Sequence, residues 1–129
     1  MHIEHIAIWT NRLEEMRTFY MTFFGAASNE GYHNPVKKFR SYFLSFEQGA
    51  RLELMQKEGI PDNQNDPVQQ YIGLIHFAIV VSSRQEVDQL SQTLQQAGYP
   101  IIDGPRQTGD GYYESVVLDP DGNRIEITA

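Results

Sequence analysis

At 129 residues, with a formal charge of −7 and a pI near 4.9, the chain is sized for a single domain, and its negative field makes nucleic acid and anionic membranes poor partners. It contains no cysteine. Disulfides, thiolate metal sites and cysteine nucleophiles are therefore excluded together, and any tightly held metal has to be bound through imidazole and carboxylate groups.

The first strand-like run is His5-Ile-Ala-Ile-Trp9, in which alternation puts His5, Ala7 and Trp9 on one face. Asn11 then reads as a helix N-cap with Glu14 three residues on, the spacing of a capping box. Leu13, Met16, Phe19, Tyr20, Phe23 and Phe24 recur at helical spacing up to Gly25, which suits a left-handed helix end. One further strand is expected between residues 26 and 38, but no pattern there places it. Strands are predicted over 39–46 and 51–56, joined by the turn Glu47-Gln-Gly49. In the second of these, Arg51, Glu53 and Met55 share a face, opposite Leu52 and Leu54.

Residues 58–71 are polar and rich in glycine, proline, asparagine and aspartate, so they read as a linker between a module at 1–57 and a module at 72–129. The second module repeats the first. His76-Phe-Ala-Ile-Val80 matches His5-Ile-Ala-Ile-Trp9, and Ser83 with Glu86 repeats Asn11 with Glu14 at an offset of 72 in both comparisons, 83 − 11 and 86 − 14. Val87, Leu90, Leu94 and Ala97 follow at helical spacing, ending at Gly98. Strands are predicted around Ile101 and Ile102, over 112–118 and over 124–128, the last two joined by Asp119-Pro-Asp-Gly122. Each half thus reads as strand, helix and three strands, an α+β arrangement of paired βαβββ modules in one domain spanning 1–129.

The repeat also organises the chemistry. His5 maps onto His76 and Glu53 onto Glu126, with offsets of 71 and 73. Both glutamates lie between apolar neighbours, in Arg-Leu-Glu53-Leu-Met and Arg-Ile-Glu126-Ile-Thr, where an unpaired carboxylate costs several kcal/mol to bury. One explanation is structural pairing with Arg51 and Arg124, two residues away. The other is ligation: two imidazoles and two carboxylates hold a six-coordinate ion and leave two positions for water or substrate oxygens. That donor set suits nickel, zinc, cobalt, manganese or ferrous iron rather than calcium. His2 and His33 have no repeat partner and read as surface residues.

With His5-Ile-Ala-Ile, the helix ending Phe-Phe-Gly25, Gly73-Leu-Ile-His76-Phe-Ala-Ile and Asp119-Pro-Asp-Gly-Asn-Arg-Ile-Glu126-Ile, the sequence resembles the vicinal-oxygen-chelate superfamily over nearly its whole length. That superfamily includes glyoxalase I, methylmalonyl-CoA epimerase, fosfomycin-resistance enzymes, extradiol dioxygenases and bleomycin-binding proteins. The resemblance implies an open, barrel-like mixed sheet with flanking helices, one divalent metal ion on His5, Glu53, His76 and Glu126, and a homodimer. Having a glutamate at position 53 resembles the glyoxalase I branch, where nickel or zinc is the expected metal and the reaction is isomerisation of a hemithioacetal through an enediolate. Glu126 is then the first choice for the proton-transferring base and Glu53 the second.

Trp9 stands where bacterial glyoxalase I commonly has an arginine that contacts the thiol carrier. An aromatic there suggests a flatter or more apolar substrate, with Met55 and Arg51 beside it and Arg12, Arg40 or Arg51 supplying positive charge. Two alternatives carry different chemistry. An iron-dependent extradiol-type dioxygenase would use His5, His76 and Glu126, with Tyr112 or Tyr113 as a further cavity-facing group. A metal-free protein that binds a small molecule such as an antibiotic would stack it on Trp9. Strand-sized apolar stretches and the absence of an apolar export segment imply a cytoplasmic protein.

Overall fold

Both histidine-bearing runs form strands, and each pairs in parallel with the last strand of its own half of the chain. The computed structural model describes residues Met1–Ala129 as two units, Met1–Asn63 and Gln64–Ala129. The first contains β1 (His5–Trp9), α1 (Leu13–Phe24), β2 (Ala27–Ser28), β3 (Tyr32–Asn34), β4 (Phe39–Ser45) and β5 (Arg51–Lys57). Its sheet runs β1-β5-β4-β2, with β3 also on β4. The second contains β6 (His76–Val80), α2 (Arg84–Gln96), β7 (Ile101–Gln107), β8 (Tyr113–Leu118) and β9 (Arg124–Thr128), in the sheet order β6-β9-β8-β7. The fold is α+β, with one helix and one open mixed sheet in each unit.

Strand alternation decides which sheet face each helix covers. In the first unit Leu52 and Leu54 of β5 and Leu44 of β4 are buried together with Leu13, Met16, Phe19 and Tyr20 of α1. In the second, Ile125 and Ile127 of β9 and Val117 of β8 are buried together with Val87 and Leu94 of α2. Each such side chain contributes about 1.5–3 kcal/mol by leaving water. Leu90 and Ala97, expected on the buried stripe of α2, are less covered, and Ser91 takes a core position instead. Its hydroxyl donates to the Val87 carbonyl at 2.6 Å and meets the Ser115 hydroxyl at 2.6 Å, which satisfies both buried groups.

The helix starts differ from their common sequence pattern. Arg12, not Asn11, occupies the N-cap of α1, and no side chain caps it. The buried Thr10 hydroxyl accepts the Arg12 N–H at 2.8 Å, while Glu14 turns to the sheet and accepts hydrogen bonds from Arg40 and Tyr42, so the expected capping box is not made. In α2 the cap forms as its spacing predicts. The Glu86 N–H donates to the Ser83 hydroxyl at 3.2 Å, and the Ser82 N–H and hydroxyl donate back to the Glu86 carboxylate, holding its pKa below the ordinary value. Ser83→Ala is expected to cost about 1 kcal/mol, read as a lower urea midpoint with an unchanged slope.

Glycine closes α1 as anticipated, since Gly25 sits at φ 64° and its N–H reaches the Tyr20 carbonyl. The strand that could not be placed is two short pieces, β2 and β3, both paired with β4 and separated by a bend at Gly31. At the β8–β9 turn the buried Asp119 carboxylate accepts the N–H groups of Asp121 and Asn123, at 3.0 and 2.9 Å. This fixes the entry of β9, which carries Glu126. No helix is long and apolar enough to cross a membrane.

Candidate functional site

With one face of each sheet buried under its helix, the opposite face presents the polar residues. In the first unit the register aligns His5 with Arg51, Ala7 with Glu53 and Trp9 with Met55. The methyl group of Ala7 leaves space beside Glu53, and the His5 Nε2 lies 3.7 Å from the Glu53 Oε2. Phe43, the β4 partner of Glu53, meets the His5 ring edge-on at 5.4 Å between centroids. The Arg51 guanidinium lies over Phe43 at 4.1 Å and pairs with Glu4, which also hydrogen-bonds His5 Nδ1. Those bonds hold the Glu4 carboxyl below its ordinary pKa. Trp9 stands at the other end of this face, edge-on to Phe39 at 6.1 Å and 43% exposed.

The second unit repeats the pair. His76 aligns with Arg124, Ala78 with Glu126 and Val80 with Thr128, and the His76 Nε2 lies 3.4 Å from the Glu126 Oε2. Here a second carboxylate joins the face. Glu114 of β8 shares this face, opposite Thr128 and one pair along from Glu126, and Arg106 of β7, its cross-strand partner, approaches Glu114 to 3.5 Å. Burial first, and the neighbouring Glu126 second, push the Glu114 carboxyl above its ordinary pKa. A carboxyl with a raised folded-state pKa adds stability below its unfolded value and loses it as pH rises through the folded value. Metal-free protein is therefore expected to lose stability from this group as pH rises above the ordinary glutamate range. Glu114→Gln should remove that part of the slope in thermal melts recorded across the range with chelator present.

Arg51 and Arg124 are not the counter-ions of the two glutamates. Arg51 pairs with Glu4, and the Arg124 guanidinium donates to the Pro67 carbonyl at 2.5 Å. The ion-pair partners of Glu53 and Glu126 are the histidines, which leaves the carboxylates directed at the nitrogens that would share a metal with them. Two adjacent ligands about 2.1 Å from an ion lie about 3 Å apart, so each pair needs only a small inward adjustment. Each pair is thus of a donor type that a divalent metal takes, but no group of three or more such side chains stands in metal-holding geometry.

The family model described as Glyoxalase/Bleomycin resistance protein/Dioxygenase superfamily matches residues 2–127. The chain belongs to this superfamily. Among solved structures of glyoxalase-type proteins it is similar to the trypanothione-dependent glyoxalase I of Leishmania major, at 25% identity and a TM-score of 0.77, covering 98% of this chain and 85% of that one. It also resembles glyoxalase I from Zea mays, at 22% identity and a TM-score of 0.78, covering 98% of this chain and 44% of that one. A third likeness is a glyoxylase/bleomycin resistance protein/dioxygenase domain from Frankia sp., at 16% identity and a TM-score of 0.81, covering 99% and 96%. The uncharacterised protein YqjT of Bacillus subtilis is 34% identical over 61 residues, which are 45% of this chain and 48% of that protein. The match thus spans about half the length of that relative.

Within this superfamily fold, several sequence expectations need correction. Arg40 does not offer its charge on the face of Glu53, because it falls on the helix-covered side of β4 and pairs with Glu14 at 2.6 Å. Tyr113 is likewise on the helix side of β8, where its hydroxyl donates to Asp88 at 2.8 Å and Arg84 lies over its ring. Tyr113 is therefore off the face of Glu126 that an oxygenase would use, while Tyr112, just before β8, is exposed. Arg12 sits at the start of α1, within 3.8 Å of Glu15. His2 and His33 are exposed, as expected. Glu114 was missed altogether, since its equivalent one repeat earlier, 114 − 73 = 41, is Ser41.

Proposed function

We propose that the protein is a metal-dependent lyase of the glyoxalase I kind, acting on a small hemithioacetal or a related substrate with oxygens on adjacent carbons. The observation that supports it most is the recurrence of one imidazole–carboxylate pair, His5 with Glu53 and His76 with Glu126, on the uncovered face of each sheet. In this reading His5, Glu53, His76 and Glu126 together hold one divalent ion, with nickel or zinc first and cobalt, manganese or iron as further candidates. When bound, that ion supplies Lewis acidity to the adjacent substrate oxygens and offsets the negative charge left by loss of a C–H proton.

The remaining work falls to side chains. Glu126 takes a proton from one substrate carbon and returns it to the neighbouring carbon, so the step is proton-neutral and needs no redox partner. Glu53 is the second candidate base, serving the other face of the substrate. Trp9 and Met55 pack against the apolar part of the substrate, and Arg51, steadied by Phe43, pairs with an anionic group on the thiol carrier. The protein works on a small molecule in the cytoplasm as a homodimer. The test is steady-state assay of the zinc- and nickel-loaded protein against hemithioacetals of a 2-oxoaldehyde with several low-molecular-weight thiols. Turnover that chelator abolishes and metal restores is expected. Loaded protein that turns over none of them, yet consumes oxygen with a catechol when supplied with iron, would overturn the reading.

A further inference from the structure

The two units differ in how the gap between the helix and the outer strand of the sheet is closed. In the first, Arg17 of α1 bridges it: the Arg17 Nε donates to the Ser28 hydroxyl of β2 at 2.8 Å, and the guanidinium lies over the Tyr42 ring at 4.4 Å. Tyr20, fully buried, and Phe24, its ring 5.9 Å from that of Tyr20, add bulk to the same helix. Counted from the N-caps Arg12 and Ser83, these three positions fall in α2 on Asp88, Ser91 and Gln95, since 17 − 12 and 88 − 83 are 5, 20 − 12 and 91 − 83 are 8, and 24 − 12 and 95 − 83 are 12. A cation and two rings are thus replaced by a carboxylate, a hydroxyl and a carboxamide. On the strand side Gly104 stands in for Ser28: Ser28 pairs with Leu44, and Gly104 lies against Ser115, 71 residues on from Leu44, 115 − 44. A Cβ at Gly104 would come within 2.5 Å of the Glu114 carbonyl oxygen, so β7 has no room for a side chain that could close the gap here.

What remains is a cavity of about 320 Å³ between α2 and β7, with Gln92 beside the three α2 residues and with Ile101 and Pro105 on the strand side. Ile101 pairs with Val117, which is buried under α2, so the cavity lies on the helix side of the sheet and apart from the face that carries Glu126. The Ser91 hydroxyl is already satisfied by Val87 and Ser115. The Asp88 carboxylate holds one hydrogen bond, from the Tyr113 hydroxyl to Oδ1, and the Gln92 and Gln95 side chains hold none. Arg84, one turn before Asp88, lies over the Tyr113 ring and forms no ion pair with Asp88.

We propose that this cavity is a second binding site, for a small organic cation that carries a primary amine on a flat apolar body. The ammonium group pairs with the Asp88 carboxylate, so that the ligand brings to this gap the positive charge that Arg17 brings to the other. The apolar body lies against Ile101 and Pro105, and the Gln92 and Gln95 carboxamides meet its polar substituents. The volume is at the lower end of small-molecule sites, which suits one ring with a short side chain. The net charge of −7 favours the approach of a cation.

The experiment titrates the full chain, with chelator present, with benzylamine, tyramine and the neutral benzyl alcohol, and follows the backbone amide resonances. Saturable shifts gathered over residues 88–95 and 101–104 are expected with the two amines. Asp88→Asn, in which the amide oxygen still accepts the Tyr113 hydroxyl, should weaken amine binding by about 10-fold or more, as loss of a charge-assisted hydrogen bond does, and benzyl alcohol should be weaker than benzylamine by a similar factor. Gln95→Phe, which supplies the ring that Phe24 supplies in α1, should fill the cavity and remove binding. Thermal melts check that each variant folds, and Gln95→Met replaces the phenylalanine variant if that one does not. The proposal is overturned if the amines leave these resonances unmoved, if the shifts gather on β6 and β9 instead, or if affinity is unchanged in both Asp88→Asn and the folded Gln95 variant. Metal plays no part in these measurements, so their outcome is independent of the metal-dependent reading above.

Discussion

Glu126→Gln is expected to lower kcat for the hemithioacetal by about 10²–10⁴-fold, the range over which a positioned general base contributes. Glutamine matches the shape of glutamate and keeps an oxygen that can face His76 Nε2, now 3.4 Å from the carboxylate, but it cannot take up the substrate proton. The loss should persist at saturating zinc or nickel, with KM changed far less than kcat. That pattern separates a missing base from a missing ligand, because a ligand defect is relieved by raising the metal concentration. A variant that keeps more than about a tenth of wild-type turnover at saturating metal would remove Glu126 from the proton-transfer role and leave Glu53 as the candidate.

Leu54→Ala is expected to destabilise the protein by about 2–5 kcal/mol, read from urea unfolding with chelator present. Leu54 is fully buried, and β5 is flanked by β1 and β4, where Leu54 pairs with Ile8 and Tyr42. The deleted methyl groups would leave a void between the sheet and the apolar stripe of α1. Leu54 lies between Glu53 and Met55 in sequence, so the same change loosens the strand that presents the first unit's carboxylate. Val80→Ala offers the contrast: Val80 is 76% exposed on an edge strand, and its truncation should stay within about 0.5 kcal/mol. Equal losses in the two variants would contradict the assignment of covered and uncovered sheet faces.

Legibility in the sequence followed the strength of the local pattern. The strands carrying His5, Glu53, His76 and Glu126 could be read because alternation is regular there and occurs twice. The Ser83 cap was legible because its helix makes the local hydrogen bonds that its spacing offers. At Asn11 the same spacing misled, since Glu14 gains partners on β4 that lie far away in sequence. β2 and β3 are too short for alternation to register, and glycine separates them. Arg40 and Tyr113 were offered as site residues by type, and strand parity places both under helices instead. Glu114 escaped because a search by repeat rewards residues that recur, while the property that matters here is its departure from the repeat.

Elemental analysis of protein purified without an affinity tag and without chelator, alongside the Glu53→Gln variant, tests the central claim most directly. If Glu53 is a ligand as proposed, the wild type holds near-stoichiometric nickel, zinc, cobalt or manganese and the variant markedly less. A wild type that holds no metal, even after incubation with these ions, would contradict it, as would iron that the substitution leaves in place.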